Sequence, residues 1–320
     1  MRRKALLRAF MAGIAVPVLL AVVWLLRSED RSIPTPVHAV EPVRVVPSAR
    51  SGRQKPVRTC PVDVSSAVQC VCGFDLKTAR RFTARNSALR SIADRRDLPP
   101  EDVDALLGYI VSTEDTMRAD RTAALKNDVL NLLRNQNPVP DLLPAVLADM
   151  IVCDDYDVTI VDYCIQHLGA MWRDIVVDDM RRKVRETFKA AALRRNLPYA
   201  GTALYSLADE PGASADSQEE LRRLAVGTAC DASANQLARM TAFQLAARRG
   251  YVEVLPSARA ILAEAHPDAV LATVAIGTIG CIGDAGDISL LERVRVNGGR
   301  RLLPALDAAL ARLDDKRGRK

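Results

Sequence analysis

Apolar residues recur every three or four positions along most of the chain after residue 76, which is the period of an amphipathic helix. In DLPPEDVDALLGYIVS (97–112), Val103, Leu106 and Ile110 share one helical face behind two prolines that suit a helix start. The stretch RTAALKNDVLNLLRNQNP (121–138) repeats this pattern and ends at a proline, which cannot continue a helix. Aromatic residues make up only 4% of the chain, so Leu, Val, Ile and Ala must fill the core. The pattern predicts an all-α body.

Helix pairs recur from about residue 141 onward. The predicted inner helix of each pair covers 158–171, 199–209, 235–250, 269–280 and 302–313. When Leu168, Leu207, Leu245, Ile279 and Leu310 are aligned, successive positions are 39, 38, 34 and 31 residues apart. Two short antiparallel helices with their turns have this length, and a repeat of this period is typical of a solenoid.

Small residues follow each aligned position, at Gly169, Ala208, Ala246, Gly280 and Ala311, and Ala203, Ala242 and Ala275 precede three of them by about one turn. Stacked helices need small side chains where their backbones approach, while the aliphatic residues between fill the core. We therefore expect neighbouring inner helices to pack closely at these positions.

These residues resemble HEAT repeats, most clearly in HPDAVLATVAIGTIGCIGDAGDISLLERV (266–294). NQLARMTAFQLAARRG also places Arg239 ahead of paired alanines, as that family often does, whereas Leu271 stands where such an arginine would lie in the next repeat. The resemblance covers 141–313, weakens over 176–209, and follows a divergent helical start at 76–140; a charged tail occupies 314–320. It implies an armadillo-type α-solenoid that binds a protein or peptide along its concave face, with no catalytic, cofactor-binding or metal-binding residues.

The N-terminus predicts a membrane anchor. A basic leader (1–8) precedes Ala9 to Leu26, eighteen residues without a charge, which rise about 27 Å as a helix against a hydrocarbon core of about 30 Å. The four cationic side chains of the leader favour a cytoplasmic N-terminus and a body on the extracytoplasmic, periplasmic side. A cleaved signal peptide is the alternative, but the nearest small-residue site, Val37 to Ala39, lies well beyond the apolar run.

Residues 27–75 are predicted to be a linker, because their first half is rich in proline and arginine and lacks apolar periodicity. The net charge of +6 is concentrated in this N-terminal part of the chain. Residues 97–320 hold 27 basic and 33 acidic residues, which argues against a nucleic-acid surface on the body. The basic segment KTARRFTARNSALRSIADRR (77–96) is interpreted as a docked helix, with contact to an anionic lipid or polyanion as the alternative.

Three cysteines cluster at the end of the linker, in TCPVDVSSAVQCVCGFD. An extracytoplasmic location permits disulfides, so Cys60 paired with Cys70 or Cys72 is the favoured interpretation. Free thiols and a metal site remain as alternatives, although the spacing is not that of a zinc motif.

Candidate catalytic chemistry is sparse. Asp154, Asp155, Asp157 and Asp162 offer oxygens for a calcium ion but depart from the EF-hand pattern, so an acidic turn that caps helices is the favoured interpretation. His167 lies in an apolar helix, where packing is the favoured role. Neither HExxH, GxSxG nor a Walker-type loop occurs. Three functions follow: a binding scaffold without catalysis, a lyase-like α-solenoid enzyme acting on an envelope substrate around Asp154–Asp162 and His167, or a structural spacer.

Overall fold

A computed structural model describes residues 63–74, 80–114, 117–297 and 299–318. These residues form fourteen α-helices and, within the same ranges, no strand. The helices are α1 (Val64–Cys72), α2 (Phe82–Ile92), α3 (Pro100–Val111), α4 (Ala119–Arg134), α5 (Leu143–Val152), α6 (Val158–Met171), α7 (Asp178–Leu193), α8 (Ala200–Ala208), α9 (Ala215–Cys230), α10 (Gln236–Arg249), α11 (Leu255–Ala263), α12 (Ala269–Ile282), α13 (Ile288–Asn297) and α14 (Leu303–Gly318). The expected all-α class is confirmed for this part of the chain.

The helix starts follow from local chemistry. Asp157, Asn235 and Asp268 each accept a hydrogen bond from a backbone N–H of the first turn of α6, α10 and α12 respectively. Such caps satisfy N–H groups that have no partner within the helix. The five helices expected at 158–171, 199–209, 235–250, 269–280 and 302–313 are present as α6, α8, α10, α12 and α14.

Each helix packs on a sequence neighbour, and every helix except α9 also packs on a helix two positions away. The even-numbered helices contact one another in succession, from α2 through α4, α6, α8, α10 and α12 to α14. Among the odd-numbered helices, α1, α3, α5 and α7 are likewise in successive contact, and α11 touches α13. The antiparallel pairs α5–α6, α7–α8, α9–α10 and α11–α12 join the two sets.

The core between the helices consists mainly of aliphatic side chains and alanine. Leu147, Ile165, Leu204, Ile276 and Leu306 are fully buried. The few aromatic residues of the core include Phe188 of α7, whose ring meets Trp172 edge-on with 5.2 Å between ring centroids. Aliphatic residues and alanine therefore fill the interior, as the low aromatic content required.

Small residues mark the closest approaches between even-numbered helices. A Cβ on Gly280 of α12 would lie 2.8 Å from both Cα and Cβ of Ala309 in α14. A Cβ on Gly201 of α8 would lie 3.2 Å from Cα of Ala238 in α10. Side chains larger than hydrogen are thus excluded at these two positions by the neighbouring helix.

The aligned Leu310 of the last repeat is buried, but the expectation that Ala311 marks its close approach was wrong. Ala311 is exposed, whereas Ala309 is buried and faces Gly280. Two residues correspond to a rotation of about 200° around a helix, so the error moves the small residue to the opposite face. The other aligned alanines, Ala208 and Ala246, are buried as expected.

Residues 64–72, which the composition placed at the end of the linker, form α1 and pack on α2 and α3. The basic segment that follows includes α2, whose Leu89 and Ile92 are buried. Arg85 on the same helix is also buried, donates from Nε to the carbonyl oxygen of Val71 at 2.8 Å, and lies over the ring of Tyr109. This arginine holds α1, α2 and α3 together, and its burial was not predicted.

The glycine-rich stretch after α12 is a turn. Gly283 directly follows the last residue of α12. This position requires glycine, because a Cβ there would lie 2.5 Å from the carbonyl oxygen of Ile279. Asp284 and Asp287 form a capping box around the short 3₁₀ turn that leads to α13. Asp287 is buried and accepts hydrogen bonds from Nε and Nη2 of Arg259, at 2.7 and 3.0 Å. Asp287 therefore also joins α11 to this turn.

We expect the substitution Asp287→Asn to lower the free energy of unfolding by about 1–2 kcal/mol, since it weakens a bidentate bond to a partly exposed arginine. Burial raises the pKa of Asp287, but the Arg259 and Asp284 hydrogen bonds outweigh this effect and lower it below 3.8. The stabilisation is thus present above about pH 4. It is lost as pH falls below 3.8 toward the pKa that Asp287 has in the folded state. Urea unfolding between pH 3 and 7 measures both effects, and equal stability of wild type and variant at pH 7 would contradict them.

The predicted membrane span, Ala9–Leu26, and the segment around it lie outside the described residues. Among the residues that are described, none of the helices is both long and apolar enough to cross a membrane.

Candidate functional site

The helices α6, α8 and α12 present a surface that is poor in charge. No charged residue occurs in α8 or α12, and α6 carries a single aspartate. The side chains of these helices and of α10 that are not buried are mostly uncharged; we call them the even-helix face, formed by Gln166, Ala170, Thr202, Tyr205, Leu237, Gln244, Val270, Val274 and Gly277. Their spacing of three, four or seven residues within each helix places them on one side of it.

Contacts between neighbouring helices show that this face is continuous. Thr202 of α8 donates a hydrogen bond of 2.5 Å to Asp162 of α6. Across the next junction, Gly201 of α8 lies against Thr241 of α10. Gln236 of α10 then donates to Asp268, the residue that caps α12. The exposed side chains of the four helices therefore lie side by side.

Several apolar side chains of this face are exposed to solvent. Tyr205 is 42% exposed, Leu237 45% and Val270 36%. A helix face in water normally carries charged residues, whereas binding surfaces are depleted in charge and enriched in tyrosine. The composition of the even-helix face is typical of a surface that another molecule covers.

The odd-numbered helices α7 and α9 differ sharply from this face. Together they carry an ion-pair network in which Arg185 binds Glu210 and Glu220, and Lys189 binds Glu186 and Glu220. These side chains are already paired with one another. Their surface is therefore that of an ordinary solvated helix pair, and it contrasts with the even-helix face.

The aspartates suggested for calcium or catalysis have separate structural partners. Asp154 forms an ion pair of 2.5 Å with Arg194, Asp157 caps α6, and Asp162 accepts hydrogen bonds from Thr202 and Gln166. Burial raises the pKa of Asp162, and these two hydrogen bonds partly oppose that effect. No group of three or more His, Cys, Asp or Glu side chains within the described ranges is arranged to hold a metal ion. The helix-capping interpretation fits Asp157 directly.

His167 is packed inside the protein, as its apolar surroundings indicated. It is 6% exposed, and its Nε2 lies 3.1 Å from Oδ1 of Asn127 in α4, while Nδ1 has no partner among the described residues. Burial, with a smaller effect from Arg134, lowers the pKa of His167 to about 4. The ring is therefore neutral at neutral pH and joins α6 to α4.

The cysteine cluster is described only in part. Cys70 and Cys72 lie on α1, and the thiol of Cys72 donates to the carbonyl oxygen of Ala105 at 3.5 Å. Burial raises the pKa of Cys72 to about 12, so this group is a thiol rather than a reactive thiolate. Cys60 lies outside the described residues, and the bridge to Cys70 or Cys72 stays a prediction.

A polar cleft between α2 and α4 was not predicted from the sequence. Its lining includes Asn86 and Arg90 on α2, Asp128 and Asn131 on α4, and Asn135 directly after α4. The spacing of Asn131 and Asn135 by four residues was the available signal, because it places both carboxamides on one helix face. No pattern within α4 alone indicates which residues of α2 lie opposite.

No protein-family model, curated protein or solved structure matches the chain.

Proposed function

We propose that the chain is a membrane-anchored binding scaffold, in which HEAT-like helix pairs stack as an α-solenoid and bind a protein or peptide partner without catalysis. The alternation of contacts between even-numbered and odd-numbered helices supports the solenoid. The hydropathy of Ala9–Leu26 and the basic leader support an anchor that places the body on the periplasmic side of a cytoplasmic membrane.

One observation carries the binding function: Tyr205 and Val270 are exposed on helices without a charged residue, and Leu237 is exposed beside them on α10, which carries three arginines. Water solvates such a face poorly, and a partner that covered it would remove apolar surface from water at about 25 cal/mol per Å². Charged residues are by contrast abundant on α7 and α9. Surface for a partner is therefore concentrated on one set of helices.

The partner that fits this face is largely uncharged where it makes contact. Gln166, Thr202 and Gln244 provide donors and acceptors between the apolar side chains, which suits a helix or strand with mixed apolar and amide side chains. The even-helix face has no cluster of charges of one sign and therefore exerts no long-range electrostatic attraction on a partner. We expect the association to depend only weakly on salt concentration.

Site-specific photocrosslinking in the native membrane tests this function. A photoreactive residue in place of Tyr205 or Gln244 is expected to crosslink the same partner, because both positions lie on the even-helix face. The matched controls replace Arg182 on α7 and Arg223 on α9, whose side chains are exposed on the opposite set of helices. The scaffold proposal fails if Tyr205 and Gln244 give no discrete product, or if the control positions give the same product with equal yield.

A further inference from the structure

The cleft between α2 and α4 has the size and lining of a small-molecule site. Its volume is about 190 Å³, and its floor is formed by Leu89 and Leu132, which are 3% and 2% exposed. A single water needs only about 10–15 Å³ of such volume, so the cleft holds a molecule of several non-hydrogen atoms. An apolar floor with a few converging polar groups is the usual composition of a ligand pocket.

The polar groups of this cleft form no hydrogen bond or ion pair with one another or with other described residues. Oδ1 of Asn86 is buried and receives no hydrogen bond from any described residue. The side chains of Arg90, Asp128, Asn131 and Asn135 likewise form no hydrogen bond or ion pair with the described part of the chain. A buried acceptor without a donor is unfavourable, and most such groups in folded proteins are satisfied. Oδ1 of Asn86 is covered by the protein itself, so the side chains open to a ligand are those of Arg90, Asp128, Asn131 and Asn135.

The two charges of the cleft are opposite in sign and are not neutralised by direct contact. Burial raises the pKa of Asp128, and the positive charge of Arg90 partly opposes this effect. The guanidinium group is therefore near the carboxylate, although the two do not form an ion pair. Each charge remains available to a ligand group of the opposite sign.

We propose that this cleft binds a small zwitterion of the α-amino-acid class. The ligand ammonium group donates to the carboxylate of Asp128. The ligand carboxylate accepts from the guanidinium of Arg90 and from the side-chain amides of Asn131 and Asn135, while the side chain of the ligand covers Leu89 and Leu132. This site is separate from the even-helix face and does not depend on the scaffold function.

A zwitterion fits these groups better than an extended peptide does. A peptide running along α4 would need another unpaired side chain one turn before Asn131. The side chain at that place, Asn127, is already bonded to His167. The unpaired donors and acceptors are thus confined to the length of one small molecule. Both signs of charge occur within that length, as the two groups of an α-amino acid require.

Isothermal titration calorimetry on the full-length chain in detergent micelles tests this proposal. Each of the common L-amino acids is titrated, because the cleft defines the ammonium and carboxylate contacts more closely than the side chain. For the amino acid that binds most tightly, the matched amine without the carboxylate and the matched acid without the ammonium group are titrated in parallel; for L-alanine these are ethylamine and propionate. We expect binding by the amino acid and at least about 10-fold weaker binding by either fragment, since each lacks charge-assisted hydrogen bonds.

Variants assign the binding to the cleft. Arg90→Gln and Asp128→Asn are each expected to weaken binding about 10-fold or more, whereas Arg293→Gln on α13 and Asp104→Asn on α3 change exposed charges elsewhere and leave it unchanged. Circular dichroism confirms that each variant is folded. The proposal is overturned if no amino acid binds with a Kd below about 10 mM. It is equally overturned if Gly-Gly-Gly binds while single amino acids do not, or if the cleft variants behave like their controls.

Discussion

Acidification from pH 7 to about pH 4.5 is expected to destabilise the body of this protein through one residue, His167. In the folded state its pKa is about 4, whereas the unfolded chain has the ordinary value of 6.5. The unfolded state therefore binds the proton more readily, and the stability that the neutral ring contributes is complete above about pH 6.5. It is lost as pH falls from 6.5 toward 4. The difference between the two pKa values corresponds to about 3 kcal/mol.

The pKa of His167 is lowered by burial of the ring together with a neighbouring positive charge. His167 is 6% exposed and its Nδ1 has no acceptor among the described residues, so a second ring proton would be buried without a partner. Arg134 adds electrostatic repulsion to this cost. Protonation of the ring therefore favours unfolding over the folded state.

Urea unfolding of wild type and the variant His167→Gln at several pH values measures this effect. Glutamine retains a polar group toward Asn127 but does not titrate, so the variant is expected to lose much less stability between pH 7 and pH 4.5. His266→Gln is the matched control, because His266 is exposed and its removal should leave the pH dependence unchanged. Asp162 and Asp128 have raised pKa values and shift stability in the opposite direction, so the difference between the proteins isolates His167. Parallel pH profiles for wild type and His167→Gln would contradict the assignment.

The substitution Gly280→Val is expected to lower the free energy of unfolding by about 3 kcal/mol, the upper end of the usual cost of overpacking. The Cβ of any larger residue would lie 2.8 Å from Cα and Cβ of Ala309, and main-chain atoms cannot rotate away as a flexible side chain can. Relief of this contact requires α12 and α14 to move apart, which would open the core around Ile276 and Leu306.

Gly277, one turn earlier in α12, provides a matched control. A Cβ at this position meets no atom within 4 Å, so Gly277→Val makes the same chemical change on the same helix without the clash. We expect its stability to stay within about 0.5 kcal/mol of wild type. Chemical denaturation of both variants measures the difference, and equal stabilities would show that close approach of α12 and α14 is not required.

The hydrophobic period was sufficient to predict the helical class and the main inner helices. Apolar spacing of three or four residues placed α6 at 158–171 and α12 from residue 269, as observed. This prediction succeeded because helix formation depends on local spacing, capping aspartates and proline, all of which are visible in the sequence. The recurrence of Gly and Ala also indicated close packing before any contact was known.

Sequence did not indicate which small residue meets which helix. Ala309, rather than Ala311, faces Gly280, because the rotation of α14 is determined by its packing on α12. A shift of two residues is invisible in an alignment of aliphatic positions, yet it reverses the face of the helix.

Polar contacts between distant segments were also decided only by tertiary structure. Arg85 lay in a basic segment interpreted as a docked helix, but the pattern did not indicate that Arg85 itself is buried against Val71 and Tyr109. The cleft lined by Asn86 and Asp128 combines residues that are 42 positions apart, in two helices that face each other only after folding. The sequence by itself determined the helices, their caps and their small residues, since these depend on near neighbours. Burial, helix rotation and the joining of polar groups required the packed structure, because they depend on residues far apart in the chain.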